Sequence, residues 1–404
     1  MNLVSVFTAK PGMVLAREVK NKDGRHLMDA GTTLGDKEIR ILKMWGIPEV
    51  MVQPAPGAQQ KTDTGDAKLQ AFLGRWFKKN PLKDPVAEAM YNITESWFSE
   101  RPEVLLSFQK RLRAAAGSRS GISSRGTADP LSLLNGDLSL PALPQIYSEI
   151  NTAVNDPKCS GKDIAEIVSK DTSLSATLLK IVNSAFYGRS EKIDSLTLAA
   201  MTLGTKEVCN LALGITVINH FKGMPETFLD MDAFWRHSVG CGIMARNLAT
   251  HIPEVNGERV FIGGLLHDIG RLVLLNHFPE VFATALAQAA KLGLTLHQVE
   301  PKFFSLEHGE FGSMLADFWN LPAGITRLIR DHHAPLREAP DKEVAVVYFA
   351  NWMVSALGIG FSGEITLPAL SMGAWKALGI SPGTLIPVVR QTERQLAETI
   401  RFFL

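Results

Sequence analysis

The stretch that decides the fold of this 404-residue chain is GGLLHDIGR, residues 263–271. Small and apolar residues precede an adjacent His267–Asp268 pair, and Ile-Gly-Arg follows it. Neighbouring side chains on an ideal helix point about 100° apart, so the two can converge only where a helix ends. Gly270 is consistent with such an end, and the two leading glycines would admit a neighbouring helix at close range. The pair is therefore predicted to lie at a helix boundary.

Four further histidines extend this pair into an ordered series. His237 precedes it in WRHSVGCG, His308 follows in LEHGEFG, and His332–His333 closes the series in IRDHHAP. Taken singly, His237 would be a core residue and His308 a surface residue. Imidazole and carboxylate are the usual ligands of zinc, iron and manganese, so the ordered series predicts a present or an ancestral metal site. The remaining histidines are assigned to the background: His26, His220, His251, His277 and His297.

Composition limits the class of protein. The length predicts two or three domains. A formal net charge of +1 gives no case for nucleic-acid or membrane-surface binding. Three widely spaced cysteines without a CxxC fit a reducing cytoplasm, and the N-terminus lacks an export signal. The apolar stretch at residues 344–361 is of marginal length for a bilayer and is interpreted as a buried helix. We expect a cytoplasmic protein without a membrane segment.

The chain divides into three predicted parts. Residues 1–54 form a β-rich module with a strand in PGMVLAREV, a turn centred on Asp23–Gly24, a helix in GDKEIRILKMWG and a closing strand in IPEVMVQP. Residues 55–130 contain linkers and a helical connector, in which Asp84–Pro85 starts a helix. Residues 131–404 are a succession of amphipathic helices. The predicted fold is mainly α, an all-helical domain preceded by a small β-rich module and a helical connector.

The helical part resembles a known family. The ordered histidines resemble the HD superfamily of metal-dependent phosphohydrolases, and the residues upstream closely resemble the HDOD domain, an output domain of bacterial signalling proteins. The resemblance covers roughly residues 135–390 and is strongest at Leu143–Pro144, KDTSLSATLLKIVNSAFYG and Leu203–Gly204. It implies an all-helical fold and a site for one or two iron, manganese or zinc ions. The ligands it implies are His237, His267, Asp268, His308, His332 and His333.

Two departures from the superfamily bear on activity. The N-terminal module resembles the small domain that precedes HD-GYP phosphodiesterases, but the segment HHAPLREAPDKEV contains no GYP. Hydrolysis of cyclic di-GMP by that route is therefore not expected. Where HD phosphohydrolases end their ligand set with an aspartate, VVYFANWMVSA has Asn351. Because an amide brings no charge to a transition metal, this residue is expected to weaken metal binding, and HDOD domains are usually regarded as non-catalytic.

The sequence leaves three functions open. The first is a bacterial signal-transduction output protein whose HDOD domain binds a signalling partner or a nucleotide-like ligand without robust catalysis. The alternative is a metal-dependent phosphohydrolase acting on a nucleotide or cyclic nucleotide, with Asp268 at the metal and Arg271 meeting the phosphate. The competing interpretation pairs Arg271 with a surface carboxylate. The third is a scaffold in which the connector forms a homodimer.

Overall fold

The computed structural model divides the chain into two compact units, Met1–Gln70 and Ala71–Leu404, and each is described by itself. The predicted Asp23–Gly24 turn, Leu143 and Pro335 lie outside the described residues. The finer division predicted at residues 54 and 130 stays a prediction. The structure describes residues 2–6, 9, 11–21, 25–45, 47, 49–53, 64–117, 127–135, 144–156, 158–184, 186–187, 191–221, 229–334 and 341–403.

The first unit contains two antiparallel strand pairs and one helix. Its elements are β1 (Asn2–Ser5), β2 (Val19–Lys20), β3 (His26–Met28), α1 (Asp36–Met44) and β4 (Glu49–Val52). β1 pairs with β4, and β2 pairs with β3. Leu15, Leu34 and Leu42 are fully buried in its core. The predicted helix and closing strand are confirmed, whereas Val14 and Leu15 in the predicted first strand form only isolated bridges.

The second unit is helical, as predicted, and helix α2 spans the boundary between the units. The first group of helices is α2 (Thr64–Trp76), α3 (Pro85–Glu100), α4 (Pro102–Ala116), α5 (Leu131–Leu134), α6 (Gln145–Asn155), α7 (Gly161–Ser169), α8 (Thr172–Val182), α9 (Leu196–Leu203) and α10 (Thr205–His220). The second group is α11 (Met231–Ala249), α12 (Gly257–Leu266), α13 (Ile269–His277), α14 (Pro279–Leu292), α15 (Leu296–Phe304), α16 (His308–Phe318), α17 (Ala323–Asp331), α18 (Lys342–Ala356), α19 (Met372–Leu378) and α20 (Leu385–Phe403), with a 3₁₀ turn at Pro382–Thr384.

Local sequence signals set the helix starts. Asp84 precedes α3 and Pro85 occupies its first position, as predicted. Ser160 begins α7 in a capping box with Asp163, which satisfies two backbone N–H groups that have no partner within the helix. The connector helices α2 to α4 pack through aromatic side chains, and Phe108 on α4 contacts Phe361 after α18 at 6.5 Å between ring centroids. Within the second unit, the part of α2 that follows Gln70 and helices α3 and α4 therefore belong to the helical core.

The centre of the unit is helix α11, which is buried along most of its length and packs against α12, α18 and α20. Helix α18 contains most of the apolar stretch at residues 344–361 and is likewise buried. The interpretation of this stretch as a core helix is thus confirmed. Among the residues that the structure describes, none of the helices combines the length and the apolar character that crossing a membrane requires.

Glycines set the spacing between the central helices. A methyl group placed on Gly264 of α12 would lie 2.9 Å from the Cα of Gly242 on α11, so these helices touch backbone to backbone, as predicted. A methyl group on Gly270 would lie 2.7 Å from the backbone nitrogen of Gly312 on α16. Gly270 thus lies inside the first turn of α13 and admits α16, instead of ending a helix. The predicted helix boundary is real, but it falls at His267–Asp268 itself, between α12 and α13.

We predict that Gly264→Ala destabilises the protein by about 1–3 kcal/mol, because the new methyl group meets backbone that cannot rotate away. Urea unfolding would show this as a lower midpoint with an unchanged slope. Gly74→Ala is the matched control, since Gly74 lies on helix α2 with nothing within 4 Å of an added methyl group. Equal stability of the two variants would contradict the close crossing of α11 and α12.

Candidate metal centre

The residues predicted from the ordered series meet around Asp268. His237 lies in the middle of α11, and His267 and Asp268 occupy the junction of α12 and α13. His308 is the first residue of α16, and the doublet directly follows α17. The exposed fraction is at most 2% for His237, His267, Asp268, His308 and His332, whereas His333 is half-buried. His308, expected at the surface when taken alone, is fully buried.

Asp268 lies at the middle of this cluster. Its Oδ2 atom is 3.1 Å from Nε2 of His267 and 4.0 Å from Nε2 of His237. Its Oδ1 atom is 3.0 Å from Nε2 of His308 and 3.7 Å from Nε2 of His332. The Nε2 atoms of His308 and His332 are 3.2 Å apart. One carboxylate therefore faces four imidazole rings that come from four parts of the chain.

Helix ends fix the orientation of two of these rings. Nδ1 of His267 donates to the carbonyl of Gly264 at 2.7 Å, and Nδ1 of His332 donates to the carbonyl of Ile329 at 2.7 Å. Each histidine thus satisfies the carbonyl three residues earlier, which the end of the helix leaves free. Since Nδ1 carries the proton, Nε2 presents its lone pair to Asp268.

A carboxylate that the sequence analysis missed orients the third ring. Glu300 on α15 is fully buried, and its Oε2 lies 2.5 Å from Nδ1 of His308 and 2.9 Å from the backbone nitrogen of His308. A carboxylate on the outer nitrogen of a histidine is the usual support of a metal ligand. No local feature of LHQVEPKFF distinguishes Glu300 from a surface acid, so only the packing of α15 against the cluster assigns it this place.

Burial and neighbouring charges determine the protonation of the cluster. Burial lowers the pKa of His237 and that of His332 to about 3, so both rings are neutral at pH 7. Burial and Arg271 oppose a charge on His308, but Glu300 and Asp268 outweigh them and raise its pKa to about 9. Burial alone would raise the pKa of Asp268, yet Arg271 and His267 hold it well below its ordinary value. At pH 7 the centre thus combines the neutral rings of His237 and His332 with a protonated His308 and an ionised Asp268, so a metal ion would have to displace a proton from His308.

Arg271 is fully buried beside these ligands. Its Nη1 donates to Oδ2 of Asp268 at 3.2 Å and to the Ser362 carbonyl at 3.1 Å, and its Nη2 donates to Oε1 of Glu364 at 2.9 Å. Its Nε lies 3.5 Å from Oε1 of Glu300. The pairing with a surface carboxylate is therefore wrong, because its partners are buried. A phosphate could reach the guanidinium only by displacing them.

His297 and Glu364 adjoin the cluster, although His297 was assigned to the background. The ligand atoms of His297, His333 and Glu364 lie within 4.8 Å of one another, which is close enough to suggest another ion. The rings of His297 and His333 are stacked, however, with centroids 4.2 Å apart and planes inclined by 14°. Lone pairs in two nearly parallel planes do not converge on one ion. The candidate metal site is therefore the group at Asp268, and His297 is a ring that packs on His333.

Asn351 occupies the place that the resemblance gives to the last carboxylate. It lies on α18, is 8% exposed, and its side chain neighbours that of His237. An amide at this point supplies no negative charge. The His237 side of the centre is thus electrostatically weaker than the same site with an aspartate would be.

The donor atoms fit a divalent ion. Metal–nitrogen and metal–oxygen bonds of about 2.1 Å separate tetrahedral ligand atoms by about 3.4 Å. The spacings of 3.0, 3.2 and 3.7 Å among Asp268, His308 and His332 lie around this value. In addition, Nε2 of His267 and Oδ1 of Asp268 are buried without a hydrogen-bond partner. Buried polar atoms normally have partners, so a cation would satisfy an otherwise costly arrangement.

Comparison with known proteins agrees with this architecture. Residues 140–335 match the HDOD domain family. The chain is 25% identical to an HDOD domain protein of unknown function from Geobacter sulfurreducens, over 73% of this chain and 97% of that one, with a TM-score of 0.54. A candidate phosphohydrolase from Shewanella amazonensis is 23% identical over 69% of this chain and 99% of its own, with a TM-score of 0.55.

Two further proteins extend the comparison. A candidate signal transduction protein from Marinobacter aquaeolei is 20% identical over 74% of this chain and 66% of its own, with a TM-score of 0.54. An uncharacterized protein of Treponema pallidum (strain Nichols) is 28% identical over 54% of this chain, which spans only 42% of that relative's length. The family match shows that residues 140–335 of this chain are an HDOD domain, and the helical fold agrees with it.

Proposed function

We propose that this chain is a bacterial, cytoplasmic signal-transduction output protein whose HDOD domain binds a divalent metal ion at Asp268 and presents the resulting helical surface to a partner or nucleotide-like ligand, without turning over a phosphodiester. One observation gives the main support for metal binding. His267, His332 and His308 each hydrogen-bond through Nδ1. The acceptors are the carbonyls of Gly264 and Ile329 and the carboxylate of Glu300, respectively. These bonds turn all three Nε2 atoms toward the buried carboxylate of Asp268.

Asp268, His308 and His332 would hold the ion, with His333 in the same group. His237 and His267 lie against the other oxygen of Asp268 and would orient it. A bound ion would supply the positive charge that Asp268 and the inward lone pairs require. These residues come from the α12–α13 junction, from α16 and from the end of α17, so their shared contact fixes three segments of the domain at one point. Ligands drawn from several helices make metal binding part of the folding free energy.

The enclosure of the centre argues against turnover. Catalytic metal sites keep an open position for water or substrate, whereas structural sites are closed by protein ligands. Here Asp268, His308 and His332 are at most 1% exposed, and the N–H groups of Arg271 already contact buried acceptors. Asn351 and the missing GYP segment weaken the catalytic case further. We therefore assign the domain a binding role, consistent with the signalling name of the Marinobacter relative.

The alternative function, phosphodiester hydrolysis, is favoured by the imidazoles that converge on Asp268. It would require the buried centre to open and admit substrate. We expect hydrolysis of bis-p-nitrophenyl phosphate by the Mn²⁺-loaded protein to stay at the level of a metal-free sample. Activity well above that level, lost in His267→Ala, would establish the hydrolase and overturn the binding assignment.

We predict that protein purified without chelators or nickel affinity contains bound iron, manganese or zinc, and that His267→Ala/Asp268→Ala contains none. The double substitution removes the central carboxylate and one of the rings fixed on a backbone carbonyl. Elemental analysis by mass spectrometry measures the metal, and removal of the ion should lower the melting temperature of the wild type. His251→Ala is the control, because His251 is an exposed histidine outside the cluster. A metal-free wild type that folds equally well with and without added Mn²⁺ would refute the proposed centre.

We also predict that the affinity for Mn²⁺ rises about tenfold per pH unit between pH 7 and pH 9 and then levels off. His308, with its pKa raised to about 9, must lose one proton to become a ligand. His237 and His332, with pKa values of about 3, are already neutral and add no dependence in this range. Calorimetric titration at several pH values measures the slope. In Glu300→Gln, which removes the main charge that holds the proton, the plateau should begin at a lower pH.

A further inference from the structure

Three buried carboxylates share one buried guanidinium. Asp268, Glu300 and Glu364 are 1%, 0% and 8% exposed. Their contacts to Arg271 are 3.2, 3.5 and 2.9 Å. Among the ion pairs of the described residues, the only other cationic partners of these carboxylates are histidines. Arg271 is therefore the permanent positive charge of the centre.

The guanidinium also lies against one of the proposed ligands. Its Nη2 atom is 3.2 Å from Nδ1 and 3.3 Å from Nε2 of His308. An atom in the ring plane at equal distance from both nitrogens would collide with the carbon between them, so the guanidinium lies over the face of the ring. The lone pair of Nε2 stays directed toward Asp268. Arg271 thus sits beside the ligands without blocking the edge of His308 that a metal would use.

In this arrangement the two oxygens of Asp268 face two different cations, namely Arg271 and the proposed metal ion. In two-metal sites a carboxylate can bridge the ions through its two oxygens. Here Oδ2 accepts from Arg271, whereas Oδ1 is buried and has no hydrogen-bond partner. One oxygen of the bridging carboxylate is thus already used by an internal cation, and the other is available for a metal ion.

The charge count gives the same result. With the histidines counted in the neutral form that metal ligation requires, three carboxylates and one guanidinium leave a net charge of −2 in the buried centre. One divalent ion neutralises this charge, whereas a second would leave +2 in surroundings where uncompensated charge is strongly unfavourable.

We propose that Arg271 is a built-in cation in the place of a second metal ion, so that this centre binds one divalent ion and not two. The inference rests on the metal binding proposed above and adds its stoichiometry. It makes Arg271 a positioning residue, acting through Asp268, Glu300 and Glu364.

The test is the number of Mn²⁺ ions bound at saturation by the full chain, measured by equilibrium dialysis with elemental analysis. The wild type should bind one ion. Arg271→Gln, which leaves a net charge of −3 and frees Oδ2 of Asp268, should bind more than one and approach two. Arg271→Lys keeps the charge and should bind one. Arg246→Gln is the matched control, since Arg246 forms a comparable ion pair with Glu258 at 2.8 Å away from the centre.

A second variant keeps the test decisive where Arg271→Gln does not fold. Arg271→Gln/Glu364→Gln restores the net charge to −2 and should bind one ion. Two ions in the wild type would overturn the role of Arg271 while leaving the metal centre itself established. Two ions in the double variant would assign that role to the contact with Oδ2 of Asp268 and not to the charge of Arg271. A single ion in folded Arg271→Gln would also overturn it. No ion in the wild type would refute the proposed function together with the inference.

Discussion

Arg271 carries a full positive charge inside a helical core, where an unpaired charge costs several kcal/mol or more. The cost is offset because Asp268, Glu300 and Glu364 surround the guanidinium, and Arg271 in turn offsets part of the cost of burying each of them. These partners belong to the α12–α13 junction, to α15 and to the segment after α18. Mutual neutralisation therefore constrains how three separate parts of the chain pack, and the histidine cluster is built upon this ionic core.

Backbone carbonyls at helix ends complete the arrangement. His267 and His332 each follow a helix and return Nδ1 to the carbonyl three residues before. This contact costs the fold little, since the last carbonyls of a helix need partners in any case. It also fixes two ring planes and two tautomers at once. Glycine contacts between α11 and α12, and between α13 and α16, then bring the ring-bearing helices close enough for their nitrogens to share one carboxylate.

The sequence predicted the histidines and helices that form this site better than it predicted the buried charged residues around them. The histidine order, the helix break at His267–Asp268 and the buried helix α18 were all accessible, because they depend on periodicity, on local geometry and on resemblance. Glu300, Glu364 and His297 were not, since no nearby residue marks a buried acid and only tertiary packing brings it to the cluster. The burial of His308 was missed for the same reason. The helix and the closing strand of the β-rich module were predicted, but the side-chain pattern predicted a first strand where Val14 and Leu15 form only isolated bridges.

Asn351 and Arg271 shift the charge of the centre in the same direction. On the proposals made here, the amide removes a negative charge beside His237, and the guanidinium adds a positive charge beside Asp268 and His308. A hydrolytic pair of ions would need more negative charge and an opening for water, and both residues act against this. A single enclosed ion needs neither. The two residues together therefore suit a metal that stabilises the shape of an output domain, whereas either one alone would only weaken a hydrolase.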